Sequence, residues 1–448
     1  MKLDPEPPPE QAALLDRLRA SNLAFAALHP GDPPRRQPVH VVYGGGHLFR
    51  ADTAAKLGEV ATRALAEYAA DPASLDMALG LGRLAEVVYT RVVEKLAREP
   101  VEDFRIDFED GYGTRPDADE DRDVAAAARE VAKGHRAGSL PEHIGIRVKP
   151  LTEELRARSV RTLRIFLGTL LDAAGELPEN FVVTLPKVTL VEQVGVFASL
   201  LDALERELSL AAGVLHFEVM VETPQLVLGG DGVSALPRLL PAAAGRLQAA
   251  HFGTYDYTAS LGITAAQQRM RHPACDHAKL VMQTAFAGTG VWLSDGSTAV
   301  LPVPVHAARD VGALTREERA ANRPGMHAAW RLHADDVRHS LAGGFYQGWD
   351  LHPAQLVSRY AALYEFFLLG LDAAGARLRN FVAKAAQATL VGDVFDDAAT
   401  GQGLLNYFLR AIHSGAIAEA RAVELSGLTA DEIRGRSFVA ILGARGRT

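Results

Sequence analysis

The segment RIDFEDGYG, residues 105–113, alternates charged and apolar side chains in the way a β-strand does. Arg105, Asp107 and Glu109 fall on one face and the two apolar residues between them on the other, because side chains alternate between the faces of a strand. The apolar face must pack against helices. We therefore expect the charged face to point into the interior of a closed parallel barrel.

Seven more short apolar stretches have the same strand-like character, and segments with apolar residues at helical spacing lie between them. The predicted strands are His40–Tyr43, Phe104–Phe108, Ile144–Val148, Phe181–Leu185, His216–Val221, Ala249–Gly253, Gly290–Leu293 and Gly344–Leu351. The predicted helices include Thr53–Ala70, Asp123–Ala137, Leu155–Ala174, Leu190–Leu208 and Ala274–Ala287. This alternation predicts a (β/α)8 TIM barrel of the α/β class. A doubly wound open sheet is the main alternative, but no GxGxxG fingerprint opens its first strand–helix unit.

The 448 residues are predicted to form three parts. Residues 1–36 form a proline-rich surface leader, residues 37–358 the barrel, and residues 359–448 a helical C-terminal extension. Within the barrel, the polar segment 306–336 is expected to be an elaborated loop. The basic tail GARGRT, residues 443–448, is expected to be disordered.

The composition argues against several classes of function. The formal net charge is −8 and no dense basic run is present, so nucleic acid is not an expected partner. The first residues lack the basic and apolar regions of a signal peptide, and no stretch approaches the ~18 apolar residues that span a membrane. Cys275 is the single cysteine, so no intrachain disulfide can form and a cytoplasmic location is expected.

Charged residues near the carboxyl ends of the predicted strands mark the candidate site, because active sites of such barrels form there. By strand alternation, the segment IGIRVKP sends Arg147 and Lys149 inward, toward the carboxylates of the preceding strand. Arg147 is favoured as a functional residue because of its position near a strand end. Arg105 and Asp107 are expected to belong to a buried ion-pair network that fills the barrel.

Two carboxylates stand at the carboxyl ends of the fifth and sixth predicted strands. Glu222 ends the fifth strand and Asp256 ends the sixth. Neighbouring strands lie ~4.8 Å apart, so the two side chains can share one cation. A pair of oxygen ligands suits Mg²⁺ or Mn²⁺, which keep several waters and accept substrate oxygens.

Three further features lie beside these strand ends. Lys187 stands just beyond the fourth strand, where it can bind an anion or form a salt bridge. His47 follows the glycine run Gly44, Gly45 and Gly46 and is a candidate general base. The glycines allow a tight turn or the close approach of a ligand such as a phosphate.

This ordered series of motifs resembles the citrate lyase β-subunit-like proteins, part of the HpcH/HpaI aldolase group within the phosphoenolpyruvate/pyruvate barrel superfamily. The resemblance covers about residues 38 to 358. It is carried by IDFEDGYG, IRVKP, LPKV (Leu185–Val188), VETPQ with Glu222, GTYDYTASLG with Asp256, Asp295, and GFYQGWDLHPAQL with His352 and Gln355. Each motif is weak alone, and their order makes the resemblance specific.

The resemblance implies a magnesium- or manganese-dependent carbon–carbon lyase or aldolase. Such an enzyme acts on a 2-ketoacid or acyl-coenzyme A substrate through a metal-stabilised enolate. Glu222 and Asp256 would be the metal ligands, Arg147 would stabilise the developing negative charge, and Glu109 and Asp110 would orient Arg147 and metal-bound water. Assembly into a homo-oligomer and a small carboxylate substrate are also implied.

Some alternatives stay open. The family's first strand ends in a proline- and arginine-containing loop associated with coenzyme A thioesters, whereas this chain has YGGGHLFR, residues 43–50, so coenzyme A dependence is undecided. The rival functions are a phosphoenolpyruvate-type phosphoryl transfer near Gly44–Gly46, a Schiff-base aldolase that uses Lys149 or Lys187, and a non-catalytic barrel that binds a ligand or partner.

Overall fold

The computed structural model describes residues 8–306, 314–383, 389–391, 394–396 and 398–445. Eight parallel strands form a closed barrel in chain order, with β8 paired to β1, which confirms the predicted (β/α)8 TIM barrel. The barrel strands are β1 (His40–Gly45), β2 (Asp103–Asp107), β3 (His143–Arg147), β4 (Phe181–Leu185), β5 (His216–Val221), β6 (Leu247–Phe252), β7 (Trp292–Ser297) and β8 (Gln347–Asp350). A separate antiparallel pair consists of β9 (Thr389–Val391) and β10 (Val394–Asp396).

Helices surround the strands and continue on both flanks of the barrel. They are α1 (Pro9–Leu28), α2 (Thr53–Tyr68), α3 (Pro72–Leu79), α4 (Ala85–Arg98), α5 (Asp117–Ala137), α6 (Arg156–Ala174), α7 (Val191–Glu207), α8 (Pro224–Val227), α9 (Leu236–Ala242), α10 (Thr254–Ser260), α11 (Pro273–Phe286), α12 (Arg316–Ala342), α13 (Gln355–Leu369), α14 (Leu371–Ala383), α15 (Ala398–His413), α16 (Glu419–Ser426), α17 (Ala430–Arg434) and α18 (Phe438–Arg445). The five predicted helices are present. The helix α5 begins earlier than predicted because its acidic first turn suits the positive end of a helix.

The predicted loop over residues 306–336 is wrong for most of its length. Helix α12 begins at Arg316, and the Thr315 side chain caps it by accepting a hydrogen bond from the backbone N–H of Glu318. Its buried face carries Trp330 and His333 together with other polar groups. Because polar residues occupy part of the buried face, the sequence shows no regular helical spacing of apolar residues here. Residues 307–313 lie outside the described residues.

A buried carboxylate ties the last barrel strand to this helix layer. Asp350 of β8 lies 2.7 Å from Arg359 of α13, 3.0 Å from His333 of α12 and 3.0 Å from His40 of β1. Burial opposes ionisation, but the Arg359 charge and the two histidine contacts hold the pKa of Asp350 well below its usual range. The ionised Asp350 of the last strand thus contacts the first strand and two surrounding helices.

The two flanks of the barrel consist of helices. Helix α1 in the leader has no buried residue. The predicted disordered tail is partly wrong, because residues 443–445 end α18, while residues 446–448 lie outside the described residues. The three-part division stays a prediction, and α13 runs across its boundary at residue 358. None of the described helices is long and apolar enough to cross a membrane.

Charged side chains fill the middle of the barrel, as the strand alternation predicts. Arg105 and Asp107 belong to a buried ion-pair network, as predicted, but they do not bind each other. Arg105 donates hydrogen bonds to Asp103 and to Glu218, the latter at 2.8 Å from both Nε and Nη2. Asp107 is instead aligned in register with Arg147 of the neighbouring strand and binds it.

Candidate functional site

Arg147 ends β3 at the carboxyl-terminal mouth of the barrel and is 2% exposed. Its Nε and Nη2 donate to the two carboxylate oxygens of Asp107 at 2.7 and 2.5 Å, and Nη1 lies 3.1 Å from Glu109. Burial alone would favour the neutral form, but these two carboxylates raise the pKa of Arg147 above its ordinary value. The guanidinium is thus charged and fixed in orientation.

Two aromatic rings that the motif analysis missed complete the surroundings of Arg147. Its guanidinium carbon lies 4.7 Å from the ring centre of Tyr43 and 5.5 Å from that of Trp349. Both side chains face the barrel interior, and their rings are 4.5 Å apart. Strand alternation places Tyr43 on the inner face of β1, so the sequence carries a signal for this contact. The rings add cation–π attraction and leave Arg147 little freedom.

The carboxylates that follow β2 meet the ammonium group of Lys187. Lys187 forms an ion pair with Glu109, lies 2.9 Å from Asp110 and 3.6 Å from Asp256. Although burial works against it, the contact with Glu109, and next the charge of Glu222, raise the pKa of Lys187 above its ordinary value. The structure thus brings together the predicted residues Glu109, Asp110 and Lys187 in one ion-pair cluster, in which Glu109 is buried and Asp110 is exposed.

Lys187 has a strained backbone, with φ of 50° in the left-handed region. In this conformation its backbone N–H donates a 2.7 Å hydrogen bond to the carboxylate of Glu222. A non-glycine residue adopts this region only where the surroundings impose it, and such strain is concentrated at functional sites. Lys187 therefore contacts Glu222 through its backbone and the other three carboxylates through its side chain.

Glu222 and Asp256 occupy neighbouring positions at the barrel mouth. Glu222 directly follows β5 and is 2% exposed. Asp256 lies in the first turn of α10 rather than at the end of β6, and its side chain is 42% exposed. Burial, and next the charge of Asp256, raise the pKa of Glu222 to about 7. The charges of Lys187 and Arg147 act in the opposite direction but do not outweigh these two effects, so Glu222 is incompletely neutralised.

The donor set fits a magnesium-type cation that takes few protein ligands. Within the described ranges, no group of three or more His, Cys, Asp or Glu side chains has the arrangement of a metal site. Glu222 and Asp256 supply two carboxylates on adjacent elements, and Mg²⁺ in enzymes is commonly held by one or two carboxylates, with water and substrate completing the shell. The buried, incompletely neutralised Glu222 is the observation in favour of such a cation.

His47 is half-buried beside the mouth of the barrel. Its ring lies 5.5 Å from that of Tyr112, and its buried Nδ1 has no hydrogen-bond partner among the described atoms. Burial, and next the charge of Arg115, lower the pKa of His47. A neutral imidazole with a free nitrogen suits a base, but no described contact joins it to Arg147 or Glu222. Its catalytic role stays a prediction.

The glycine run has a packing explanation. A Cβ atom on Gly44 would lie 2.6 Å from the ring of Phe104, and one on Gly46 would overlap the ring of Phe108. A Cβ on Gly45 would lie 2.5 Å from the carbonyl oxygen of Gly111. The close approach predicted for a ligand is thus made by the protein itself, and ligand contact at these three residues stays a prediction.

Two other residues of the motif series lie away from the cluster. Lys149 does not face the barrel interior as predicted. Its ammonium group donates to the carbonyl of Phe108 at 2.6 Å and lies 2.9 Å from Glu120 of α5. Asp295 of β7 accepts hydrogen bonds from Lys279 and Ser340 in the surrounding helix layer. Both side chains hold helices to the barrel.

Comparisons with known proteins agree with this fold. A family model described as a domain of unknown function, DUF6986, matches residues 18–441. No curated protein matches the chain in sequence. A citrate lyase from Burkholderia xenovorans is 20% identical, with a TM-score of 0.54 and coverage of 89% of this chain and 99% of that one. The resemblance to citrate lyase-like proteins is thus confirmed at the level of the fold.

Two other solved structures are more distant. CitE from Mycobacterium tuberculosis, in complex with magnesium, acetoacetate and coenzyme A, is 14% identical with a TM-score of 0.45, and the match covers 88% of this chain and 100% of that one. The magnesium/glyoxylate complex of Haloferax volcanii malate synthase is 17% identical with a TM-score of 0.46, and the match covers 90% of this chain and 98% of that one.

Proposed function

Since this chain belongs to the DUF6986 family and shares the fold of a citrate lyase, we propose that it is a magnesium-dependent enzyme that makes or breaks a carbon–carbon bond next to a 2-ketoacid. One observation carries this proposal: a buried arginine held by a carboxylate lies beside Glu222 and Asp256, whose negative charge the nearby Lys187 and Arg147 only partly balance. That combination offers a cation site and an oxyanion site in the same barrel mouth.

Glu222 and Asp256 are the proposed holders of the metal ion. When bound there, a divalent cation supplies Lewis-acid polarisation of a carbonyl group. Glu222 contributes a carboxylate already fixed by the Lys187 N–H at 2.7 Å, and Asp256 contributes an exposed one at the entrance. The pair thus combines one preorganised ligand with one accessible ligand.

Arg147 is the proposed stabiliser of negative charge on the substrate oxygen. A guanidinium has five N–H donors, and its contacts with Asp107 and Glu109 use three of them. The remaining donors can reach a substrate oxygen in a dry interior, where each hydrogen bond to a charged atom is strong. Since Asp107 and two aromatic rings fix the guanidinium, no reorganisation is needed during the reaction.

Glu109 and Asp110 are suited to different protonation states. Burial, and next the repulsion of Asp110, raise the pKa of Glu109, although Arg147 opposes the shift. The pKa of Asp110 is lowered, because hydrogen bonds from Glu109 and Lys187 outweigh burial. Two neighbouring carboxyls with separated pKa values are typical of acid–base pairs. We propose that Glu109 transfers a proton to or from the substrate, while Asp110 stays ionised and holds Lys187.

Lys187 is the proposed binding group for the carboxylate of the substrate. Its ammonium is exposed enough to be reached, and its raised pKa keeps it protonated at neutral pH. A protonated amine cannot attack a carbonyl, which speaks against a Schiff base on this residue. Lys149, the other candidate for a Schiff base, is engaged by Glu120 outside the barrel interior.

The groove beside the site does not distinguish a free acid from a coenzyme A thioester. A groove of about 600 Å³ adjoins Glu109 and Asp110. Its acidic and basic residues nearly balance: Glu109, Asp110, Asp117, Glu120 and Glu154 against Arg115, Lys149, Arg158 and Arg161. We propose a 2-ketoacid as the substrate, and the screen below, run with and without acyl-coenzyme A, decides whether a thioester is a second substrate.

The proposal is tested by a metal-supplemented screen of 2-ketoacids, with and without acyl-coenzyme A, on the intact chain. We expect turnover that disappears with a chelator and returns with Mg²⁺, and no substrate trapped by borohydride. Glu222→Gln and Asp256→Asn should lose Mg²⁺ binding in calorimetry, whereas Glu59→Gln on the exposed face of α2 should keep it. Activity that survives complete metal removal, or a trapped adduct, would overturn the assignment.

A further inference from the structure

A second cavity lies at the opposite end of the barrel from the site described above. Its volume is about 550 Å³. It is enclosed by leader residues 30–35, by Trp292 at the amino-terminal start of β7, and by residues of α15 and of the segment 435–437 that precedes α18. Three distant parts of the chain thus converge on one cavity.

Arg35 enters this cavity with its charge uncompensated. Its guanidinium carbon lies 4.3 Å from the ring centre of Trp292. Within the part of the chain that the structure describes, Arg35 has no ion pair, and burial lowers its pKa. A half-buried guanidinium stacked on an aromatic ring keeps its edge free for a planar or tetrahedral oxyanion.

Arg436 is a second cation in the same lining. It donates to the backbone carbonyls of Pro33 and Pro34, the latter at 2.8 Å, and its backbone is strained, with φ of 58°. Among the described residues no carboxylate forms an ion pair with it, and burial is the first cause that lowers its pKa. Its Nη2 lies 3.4 Å from His413, whose pKa falls to about 4 because of burial and the neighbouring arginines.

The cavity has a single carboxylate, and that carboxylate is already used. Asp32 is the only acidic residue in the lining, and it pairs with Arg410 at 2.7 Å. Three guanidinium groups therefore share one carboxylate, and His413 is neutral, which leaves two positive charges in excess. Desolvated charge without a counter-ion is costly, so the cavity is matched to a ligand of charge −2.

We propose that this cavity is a binding site for a small dianion, with phosphate or a phosphate monoester as the favoured class. A phosphate monoester carries −1.5 to −2 charges at pH 7 and offers three strong acceptors, and arginine forks match them. The dianion bridges Arg35 of the leader and Arg436 of the C-terminal extension, with Asn406 and Ser437 also in the lining. Binding thus ties both flanks to the base of the barrel, independently of the reaction proposed above.

The test is calorimetry with inorganic phosphate on the full chain at low ionic strength. Arg35→Gln and Arg436→Gln should each weaken binding by at least tenfold, and Asp32→Asn should strengthen it several-fold. Arg129→Gln, on the exposed face of α5, is the matched loss of one charge and should leave binding unchanged. Arg35 makes a ring contact only, so its variant keeps the test informative if Arg436→Gln does not fold.

Two further measurements identify the chemical class of the ligand and the end of the barrel at which it binds. Succinate in parallel with phosphate shows which dianion is preferred, and acetate, a monoanion, should bind at least tenfold more weakly than either. Lys187→Met should retain phosphate binding, because that ammonium lies at the other end of the barrel. Equal affinity in wild type and Arg35→Gln, equal affinity for acetate, or loss of binding in Lys187→Met would each overturn the proposal.

Discussion

Replacing Glu222 by glutamine removes one buried charge and preserves the shape of the side chain. Glu222 is 2% exposed, and burial together with the charge of Asp256 raises its pKa from 4.5 to about 7. A carboxyl group with a raised pKa holds its proton more tightly in the folded chain than in the unfolded one. Without metal, ionisation of Glu222 therefore destabilises the fold.

The size of this effect follows from the pKa. Between pH 4.5 and about 7, the folded state keeps a proton that the unfolded state has lost, so stability falls with rising pH by about 1.36 kcal/mol per pH unit. The loss reaches about 3 kcal/mol above pH 7. Glutamine has no proton to lose, so Glu222→Gln should be more stable than wild type by about 3 kcal/mol at pH 8 and by less than about 1 kcal/mol at pH 5.

Melting curves with a chelator present measure this difference. With ~2.1 cal/mol/K of unfolding entropy per residue over 448 residues, 3 kcal/mol corresponds to about 3 °C in Tm. Excess Mg²⁺ at pH 8 should raise the Tm of wild type and leave the variant unchanged, because only the carboxylate binds the ion. Glu59→Gln, exposed on α2, is the control. A variant that is less stable than wild type at pH 8, or that keeps the magnesium shift, would refute the reasoning.

Three other substitutions test neighbouring contacts. Arg147→Lys keeps the charge but loses the paired hydrogen bonds to Asp107, so kcat on a 2-ketoacid should fall by about 10²–10³-fold while circular dichroism stays unchanged. Gly46→Ala forces a Cβ atom into the ring of Phe108 and should lower the free energy of unfolding by about 1–3 kcal/mol, with Mg²⁺ affinity in calorimetry unchanged. Lys187→Met removes an ammonium that competes for the carboxylates, so Mg²⁺ should bind about tenfold more tightly while the KM for the ketoacid rises. Weaker Mg²⁺ binding in the last variant would contradict the competition.

The sequence predicted the barrel and the strand ends because both depend on local rules. Alternation along residues 105–109 assigns the charged face to the interior without knowledge of any partner strand. Because Arg147, Lys187 and Glu222 all lie at strand ends, they were predicted to share one site. The structure places these three within one connected cluster.

The contacts between strands could not be predicted in the same way, because the stagger of a barrel sets which residues meet. Arg105 and Asp107 are neighbours on one face of β2, yet each binds a partner on another strand. Helix α12 was missed for a related reason. Its buried His333 is satisfied by Asp350, which is 17 residues away in the chain, and no local pattern identifies a polar side chain with a distant partner as part of the core.

The two ends of the barrel differ in the sign of their uncompensated charge. At the carboxyl end, five carboxylates of residues 107, 109, 110, 222 and 256 surround the two cations Arg147 and Lys187. At the amino end, three arginines share Asp32. Charge that is partly removed from water and incompletely paired is costly, so we expect a bound cation at the first end and a bound anion at the second. Changes in protonation already reduce part of this charge, because Glu222 is half-protonated at pH 7 and His413 is neutral. Because a proton is the only adjustment that each side chain can make alone, we propose that bound ions of opposite sign complete the neutralisation at the two ends.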